Sequence, residues 1–161
     1  LLRLAGSGLV IAIPGRSTTV SEVDPRAVRD ARDVIASMHT LAVRETAGRL
    51  TEGDLDRMRE ANARFAKAVA DGDIRAALDA DDALHRVPID ALGNRAVETV
   101  LEQFGALVRR AELQRFGRDG RMSVERHELL IRALAEGDAA AAESLTFDMW
   151  HSLDADEDAD Q

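Results

Sequence analysis

The chain has 161 residues and a mass of 17.5 kDa, the size of one domain that can bury a core without disulfides or a structural metal. Aromatic residues make up only 3%, which argues against a strand-rich sandwich or barrel. The net charge of −9 disfavours nucleic-acid binding by this chain alone, and the absence of cysteine excludes thiol catalysis and cysteine-based zinc sites. No apolar stretch approaches the roughly 20 residues of a membrane span, and no signal peptide is evident.

The first 23 residues differ in pattern from the rest and predict a small β-hairpin. Residues 9–13 are a short β-branched run, 14–16 form a turn, and 17–20 predict a second strand. Residues 1–5 have the pattern of the end of a helix. Because a lone hairpin is marginally stable in water, we expect this segment to belong to a neighbouring domain. The chain also has no initiator methionine, and we expect it to be a fragment that lacks sequence upstream.

From Asp24 onward the pattern is helical. Asp24 followed by proline marks the first helix start, and Thr51 with Asp54 forms a capping box before the second helix. Short connections between the predicted helices indicate antiparallel neighbours, hence an all-α bundle of about six helices. Ser123 is predicted to cap the fifth helix, and the acidic residues 154–161 predict a disordered tail. The predicted helices cover about 25–48, 51–71, 73–93, 95–116, 123–137 and 138–153, with a loop at 117–120.

Aspartate and histidine side chains on these helices are the first candidates for chemistry. His85 lies in the apolar stripe of the third helix, and Asp81 lies one turn before it, near the same stripe. His127 lies at the centre of the apolar stripe of the fifth helix. Inward aspartate and histidine are costly unless they satisfy each other or bind something. The pattern therefore predicts either hydrogen-bonded core residues or a metal site between facing helices.

Other polar residues give weaker signals. His39 aligns with Ile35 on the first helix and is predicted to face inward. His151 falls off the apolar stripe of the last helix, which predicts exposure to solvent. Arg109 belongs to a basic cluster near the end of the fourth helix, which either recognises a carboxylate or complements the helix dipole.

The ordered set of motifs resembles the GntR transcription regulators of the FadR subfamily, which carry an FCD-type effector-binding domain. Residues 81–85, which read D-D-A-L-H, and the Leu-Gly-Asn at 92–94 are similar to the family's D-x-x-x-H … GN signature. Residues 125–138 resemble its H … A-x-x-x-GD stretch, and the hairpin resembles the wing of a winged helix-turn-helix domain. The resemblance implies that residues 1–23 are a remnant of that DNA-binding domain and that 24–153 form an effector-binding and dimerisation domain.

The resemblance also implies a divalent metal (zinc, nickel or manganese) at the floor of a cavity, with a small organic acid above it. Asp81, His85 and His127 match three of the four ligand positions. Met149, a poor ligand, stands where the fourth histidine is expected, and His151 lies about 200° further around the helix. Residues predicted to contact the effector are Ile35, His39, Asp82, Arg109 and Met149, and those predicted to contact DNA are Arg16 and Ser17.

These observations predict the effector-binding domain of a bacterial transcription regulator. The resemblance implies a cytoplasmic homodimer that binds DNA through a missing N-terminal domain and has no membrane partner. Two alternatives remain open from the residues. One is a small helical metal-dependent hydrolase or lyase that uses Asp81, His85 and His127, and the other is a metal-free interaction bundle with structural histidines.

Overall fold

A computed structural model describes residues 10–13, 17–22, 24–115 and 120–151. Strands β1 (Val10–Ile13) and β2 (Ser17–Val20) pair antiparallel, with Ile13 opposite Ser17, so the predicted hairpin is confirmed. Ser17 is exposed at the start of β2. The predicted turn at 14–16 with Arg16, the helix end at 1–5 and the acidic tail lie outside the described residues.

Six helices follow in the described part of the chain, which confirms the predicted all-α bundle. They are α1 (Pro25–Thr46), α2 (Glu52–Asp71), α3 (Ile74–Leu92), α4 (Arg95–Arg115), α5 (Gly120–Glu136) and α6 (Ala139–His151). The predicted start of α5 is wrong, because the helix begins at Gly120 and already contains Ser123. A capping box needs an acidic or amide side chain three residues after the serine, and Arg126 stands there instead.

Capping side chains explain two helix starts that the sequence predicted correctly. The Asp24 carboxylate accepts a hydrogen bond from the Arg26 backbone N–H at 2.9 Å, and Pro25 begins α1. At the start of α2, Thr51 Oγ1 accepts from the Asp54 N–H at 3.2 Å while Asp54 Oδ2 accepts from the Thr51 N–H at 2.9 Å. The Thr51 hydroxyl also donates to Asp54 Oδ2 at 2.7 Å, and the hydrogen bonds that this carboxylate accepts from the hydroxyl and the N–H of Thr51 lower the pKa of Asp54 to about 2.

The packing of the helices leaves α3 and α5 on two sides of a shared core. α1 packs against α3, α4 and α6, while α2 packs against α3 and α5. The largest hydrophobic cluster includes the fully buried Leu84 of α3, Leu130 and Leu134 of α5, and Met58 of α2. The elements that carry the candidate aspartate and histidines are therefore held by one apolar core. Within the described ranges, no helix has both the length and the hydropathy needed to cross a bilayer.

Two connections of the bundle meet at a pair of glycines. Gly48, after α1, and Gly137, after α5, have φ angles of 69° and 74°, which favour glycine. The Gly48 N–H donates to the Leu134 carbonyl at 2.8 Å. A Cβ atom on Gly48 would lie 3.2 Å from the Gly137 Cα, so the two backbones approach too closely for a side chain.

We expect Gly48→Ala to destabilise the domain more than Gly72→Ala. Gly72 at the end of α2 has a similar φ of 71°, but a Cβ there meets nothing within 4 Å. Gly72→Ala should therefore lower the free energy of unfolding by only about 1 to 2 kcal/mol, the cost of placing a Cβ atom in the left-handed backbone conformation. The close approach should raise the loss for Gly48→Ala to about 2 to 4 kcal/mol. Urea unfolding measures both free energies, and equal losses would contradict the role of the glycine contact.

Candidate metal centre

Helix geometry brings Asp81 and His85 together on α3. Residues four apart share one face of a helix, and His85 Nε2 lies 3.9 Å from Asp81 Oδ1. The His85 side chain is 9% exposed and that of Asp81 is 25% exposed, so the pair lies at the edge of the interior. The predicted inward direction of His85 is confirmed.

The third member of the cluster comes from α5. His127 is buried, and its Nε2 lies 3.2 Å from the same Asp81 Oδ1. The rings of His85 and His127 meet edge to face, with centroids 5.2 Å apart. One potential ligand atom of each of Asp81, His85 and His127 lies within 4.8 Å of the others. Tertiary packing therefore brings His127 of α5 to the Asp81–His85 pair of α3.

Asn62 of α2 contacts the side of His127 that points away from Asp81. His127 Nδ1 lies 2.9 Å from Asn62 Oδ1, and Asn62 Nδ2 donates to the Val124 carbonyl at 3.2 Å. Phe65, one turn along α2, is fully buried and packs edge to face on the His127 ring at 5.1 Å. The sequence analysis missed both residues. The available signal was the spacing of Asn62 and Phe65 with Met58, which puts an amide on an apolar stripe.

His39 and Trp150 extend the cluster towards α1 and α6. The rings of His39 and Trp150 stack at 5.0 Å, and His39 meets His85 edge to face at 5.6 Å. Trp150 also lies 6.3 Å from the His85 ring. The inward direction predicted for His39 is confirmed, whereas Trp150 was missed. The Trp150 Nε1 atom is buried and has no hydrogen-bond partner among the described residues.

Desolvation and neighbouring charged groups shift the pKa values of His85, His39 and Asp81. Desolvation lowers the pKa of His85 to about 4, although Asp81 acts in the opposite direction. Desolvation and then His85 lower the pKa of His39 to about 3. Burial acts to raise the pKa of Asp81, but the interactions with His85 and His127 outweigh it, and that pKa lies below its usual value. A neutral His85 imidazole beside the Asp81 carboxylate is in the protonation state that binds a divalent cation, so these two donors fit a metal.

The two residues considered for a fourth ligand position behave differently. Met149 is half-buried and packs against the large core cluster that contains Leu84 and Leu130. His151 Nδ1 is hydrogen-bonded to the Phe147 carbonyl at 2.8 Å, and its Nε2 lies 3.7 Å from an Asp33 carboxylate oxygen. His151 is half-buried rather than fully exposed as predicted, because the Phe147 ring stacks on it.

The remaining residues predicted to contact an effector lie outside this histidine cluster. Ile35 is 2% exposed and packs with α4 residues between α1 and α4. Arg32, one turn before Ile35, is a buried cation that the sequence analysis missed. Arg109 pairs with both Asp79 and Asp82 of α3, and the Asp82 side chain is largely exposed. These ion pairs connect α4 to α3.

Comparison with solved structures shows which known folds this bundle resembles. The fold is similar to E. coli McbR/YncC, with a TM-score of 0.82 and 18% identity over 94% of this chain and 77% of that chain. It is similar to a structure described as a transcriptional regulator GntR from Rhodococcus sp. RHA1 (TM-score 0.70, 17% identity, 93% and 74% covered). It is also similar to Streptococcus agalactiae GntR (TM-score 0.63, 19% identity, 93% and 76% covered). At these identities the similarity shows a shared helical-bundle fold and no more.

The family follows from the sequence. The model of the FCD domain matches residues 30–151, and the chain therefore belongs to the FCD domain family. This confirms the resemblance of the motifs to GntR-type regulators with an FCD domain. The chain is a transcription regulator with an FCD effector-binding domain and not an enzyme, which sets aside the predicted hydrolase or lyase alternative. A search of curated proteins gave no match.

Proposed function

We propose that this domain binds a divalent metal through Asp81, His85 and His127 and senses a small organic acid that completes the coordination shell. The observation that carries the proposal is the convergence of one carboxylate oxygen and two imidazole nitrogens, from two helices, within 4.8 Å. Zinc, nickel and manganese accept these donors. Three protein ligands leave positions open for an exogenous ligand, as a sensing site requires.

The groups around the cluster favour an effector that carries acceptor oxygens. The Trp150 Nε1 is a buried donor without a hydrogen-bond partner among the described residues, and its ring lies 6.3 Å from that of His85. A buried donor left unpaired is costly, so an acceptor on a ligand would be stabilised there. An Arg109 contact with the effector would require its ion pairs with Asp79 and Asp82 to break.

In the whole regulator we infer that effector binding changes DNA affinity through the arrangement of these helices. A ligand can shift such an equilibrium only by its differential affinity for the two arrangements. The His39 ring of α1 meets the His85 ring edge to face, and the Trp150 ring of α6 lies 6.3 Å from the His85 ring. Helix α1 begins a few residues after the hairpin. We propose that residues 1–23 are the remnant wing, with Arg16 and Ser17 at DNA, and that 24–153 form the dimerisation domain of a cytoplasmic homodimer.

Metal binding is testable with the chain itself, because Trp150 is its single tryptophan. We expect near-stoichiometric metal by elemental analysis after purification without chelators, and quenching of Trp150 emission on titration with nickel. Structural zinc sites bind with about 10 to 16 kcal/mol, or about 3 kcal/mol for each of four ligands, so removing one ligand should raise Kd about 100-fold. His85→Ala and His127→Ala should each show this loss.

The matched control is His151→Ala, which removes a histidine of α6 that lies outside the cluster. It should keep the wild-type affinity. Equal weakening by His85→Ala and His151→Ala, or no metal in any sample, would contradict the proposed site. Carboxylic acids should then be screened by thermal shift with and without the metal. Stabilisation that is the same in metal-free protein and in His85→Ala would contradict sensing through the metal.

A further inference from the structure

We propose that Asn62 is a positioning residue that fixes His127 in the tautomer with its proton on Nδ1. The Nε2 lone pair of His127 is thereby directed at Asp81. The inference rests on the proposed function only where it concerns metal affinity, because the tautomer is a property of the metal-free domain as well.

The contacts of Asn62 with Val124 and His127 determine the orientation of its side-chain amide. The Val124 carbonyl can only accept a hydrogen bond, so the amide nitrogen of Asn62 must face it, at 3.2 Å. The amide oxygen then faces His127 Nδ1 at 2.9 Å. That oxygen can only accept, and the donor must be an Nδ1–H group. In a neutral imidazole the other nitrogen, Nε2, then carries the lone pair.

Burial makes this arrangement hard to replace. Asn62 is 5% exposed and His127 is 1% exposed, so water has little access to satisfy either side chain if they separate. Both partners of Asn62 lie on α5, where Val124 and His127 are three residues apart. Phe65 packs on the His127 ring from the same helix as Asn62 and restricts its rotation. One amide of α2 therefore contacts two α5 residues that lie one turn apart.

This orientation of His127 favours the binding of a cation between His127 and Asp81. With the proton on Nδ1, the other ring nitrogen, Nε2, faces Asp81 Oδ1 at 3.2 Å. Two acceptors at that distance oppose each other unless a proton or a metal ion lies between them. A hydrogen bond to the far nitrogen of a histidine ligand fixes the ring and raises its basicity. Asn62 therefore acts on metal affinity through His127 and contacts no metal itself.

The tautomer can be read directly by two-bond ¹H–¹⁵N correlation spectra of histidine-labelled, chelator-treated protein at pH 8.5. At that pH an ordinary imidazole is neutral, and the His127 signals are assigned by their loss in His127→Gln. We expect the Nδ1–H form in wild type and a shift to the Nε2–H form in Asn62→Leu, which keeps the volume but removes the acceptor. Asn62→Asp retains an acceptor and should restore the Nδ1–H form. Phe65→Leu, which perturbs the same ring without a hydrogen bond, should leave the tautomer unchanged.

Metal titration of the same variants supplies the second readout. Loss of an outer hydrogen-bond partner weakens metal sites by about 10- to 100-fold, so Asn62→Leu should raise Kd by that factor. An Nε2–H form in the wild type, or an unchanged tautomer in Asn62→Leu, would overturn the inference. The wild-type spectrum decides it even if Asn62→Leu does not fold. If the wild type binds no metal, the proposed function fails, and the tautomer still decides the role of Asn62.

Discussion

Met149→His is expected to tighten divalent-metal binding by about 100-fold. This is the effect of one added ligand, since each ligand of a four-ligand zinc site contributes about 3 kcal/mol. Met149 stands at the position where the family resemblance implies the fourth histidine. Its side chain packs against the core cluster that includes Leu84, the neighbour of His85, and Leu130, one turn beyond His127. An imidazole at position 149 should therefore reach the interior in which the three predicted ligands converge.

The control for this prediction is Met149→Leu, which keeps the size and apolarity of the side chain without adding a ligand. Its Kd for zinc or nickel should remain close to that of the wild type. Titrations followed by Trp150 emission and by calorimetry measure both variants. If Met149→His binds metal no more tightly than Met149→Leu, position 149 does not complete the site, and the family pattern does not transfer to this helix.

Phe65→Ala is expected to destabilise the domain by about 3 to 5 kcal/mol, the usual cost of truncating a buried phenylalanine. Phe65 is the largest of the fully buried side chains, and it forms a cluster with alanines of α2 and α3. Alanines cannot reach into the space that the ring leaves, so a cavity should remain. The loss is a large part of the total of about 5 to 15 kcal/mol expected for a domain.

Urea unfolding of metal-free protein measures this loss, with Phe65→Leu as the conservative comparison. Leucine is apolar and fills much of the volume of the ring, so Phe65→Leu should cost only about 1 to 2 kcal/mol. A difference of under about 1 kcal/mol between the two variants would show that the bundle closes around the missing ring. Metal-free protein is needed because metal binding adds its own stabilisation to the folded state.

The sequence predicted the part of the candidate site that lies on α3, but not the contacts that join α3 and α2 to α5. Spacing of four residues on one helix placed Asp81 beside His85, because that relation depends only on helix geometry. The sequence also placed His127 on an apolar stripe. It could not show that Asp81 and His127 come within 3.2 Å, since that distance depends on how α3 and α5 lie across the core. Asn62 was missed for the same reason, because its role exists only through contacts with α5.

Residues predicted from the family pattern show the same division. Arg109 was placed in a basic cluster near the end of α4, and the packing of α4 on α3 pairs it with Asp79 and Asp82. His151 was predicted to be exposed from its angle on α6, but α1 brings Asp33 to it. Angles around a helix describe one helix at a time, and neither contact could be read from them.

By itself, the sequence determined the helical class of this domain, the helix starts that side chains cap, and the faces on which Asp81, His85 and His127 lie. These features depend on interactions within a few residues, as the capping box of Thr51 and Asp54 shows. Only the tertiary structure decided which faces meet. It joined α2, α3 and α5 at the histidine cluster, stacked Trp150 on His39, and brought Gly48 against Gly137. The physical reason is that helix crossing angles and offsets are set by the packing of the whole core, and no local spacing specifies them.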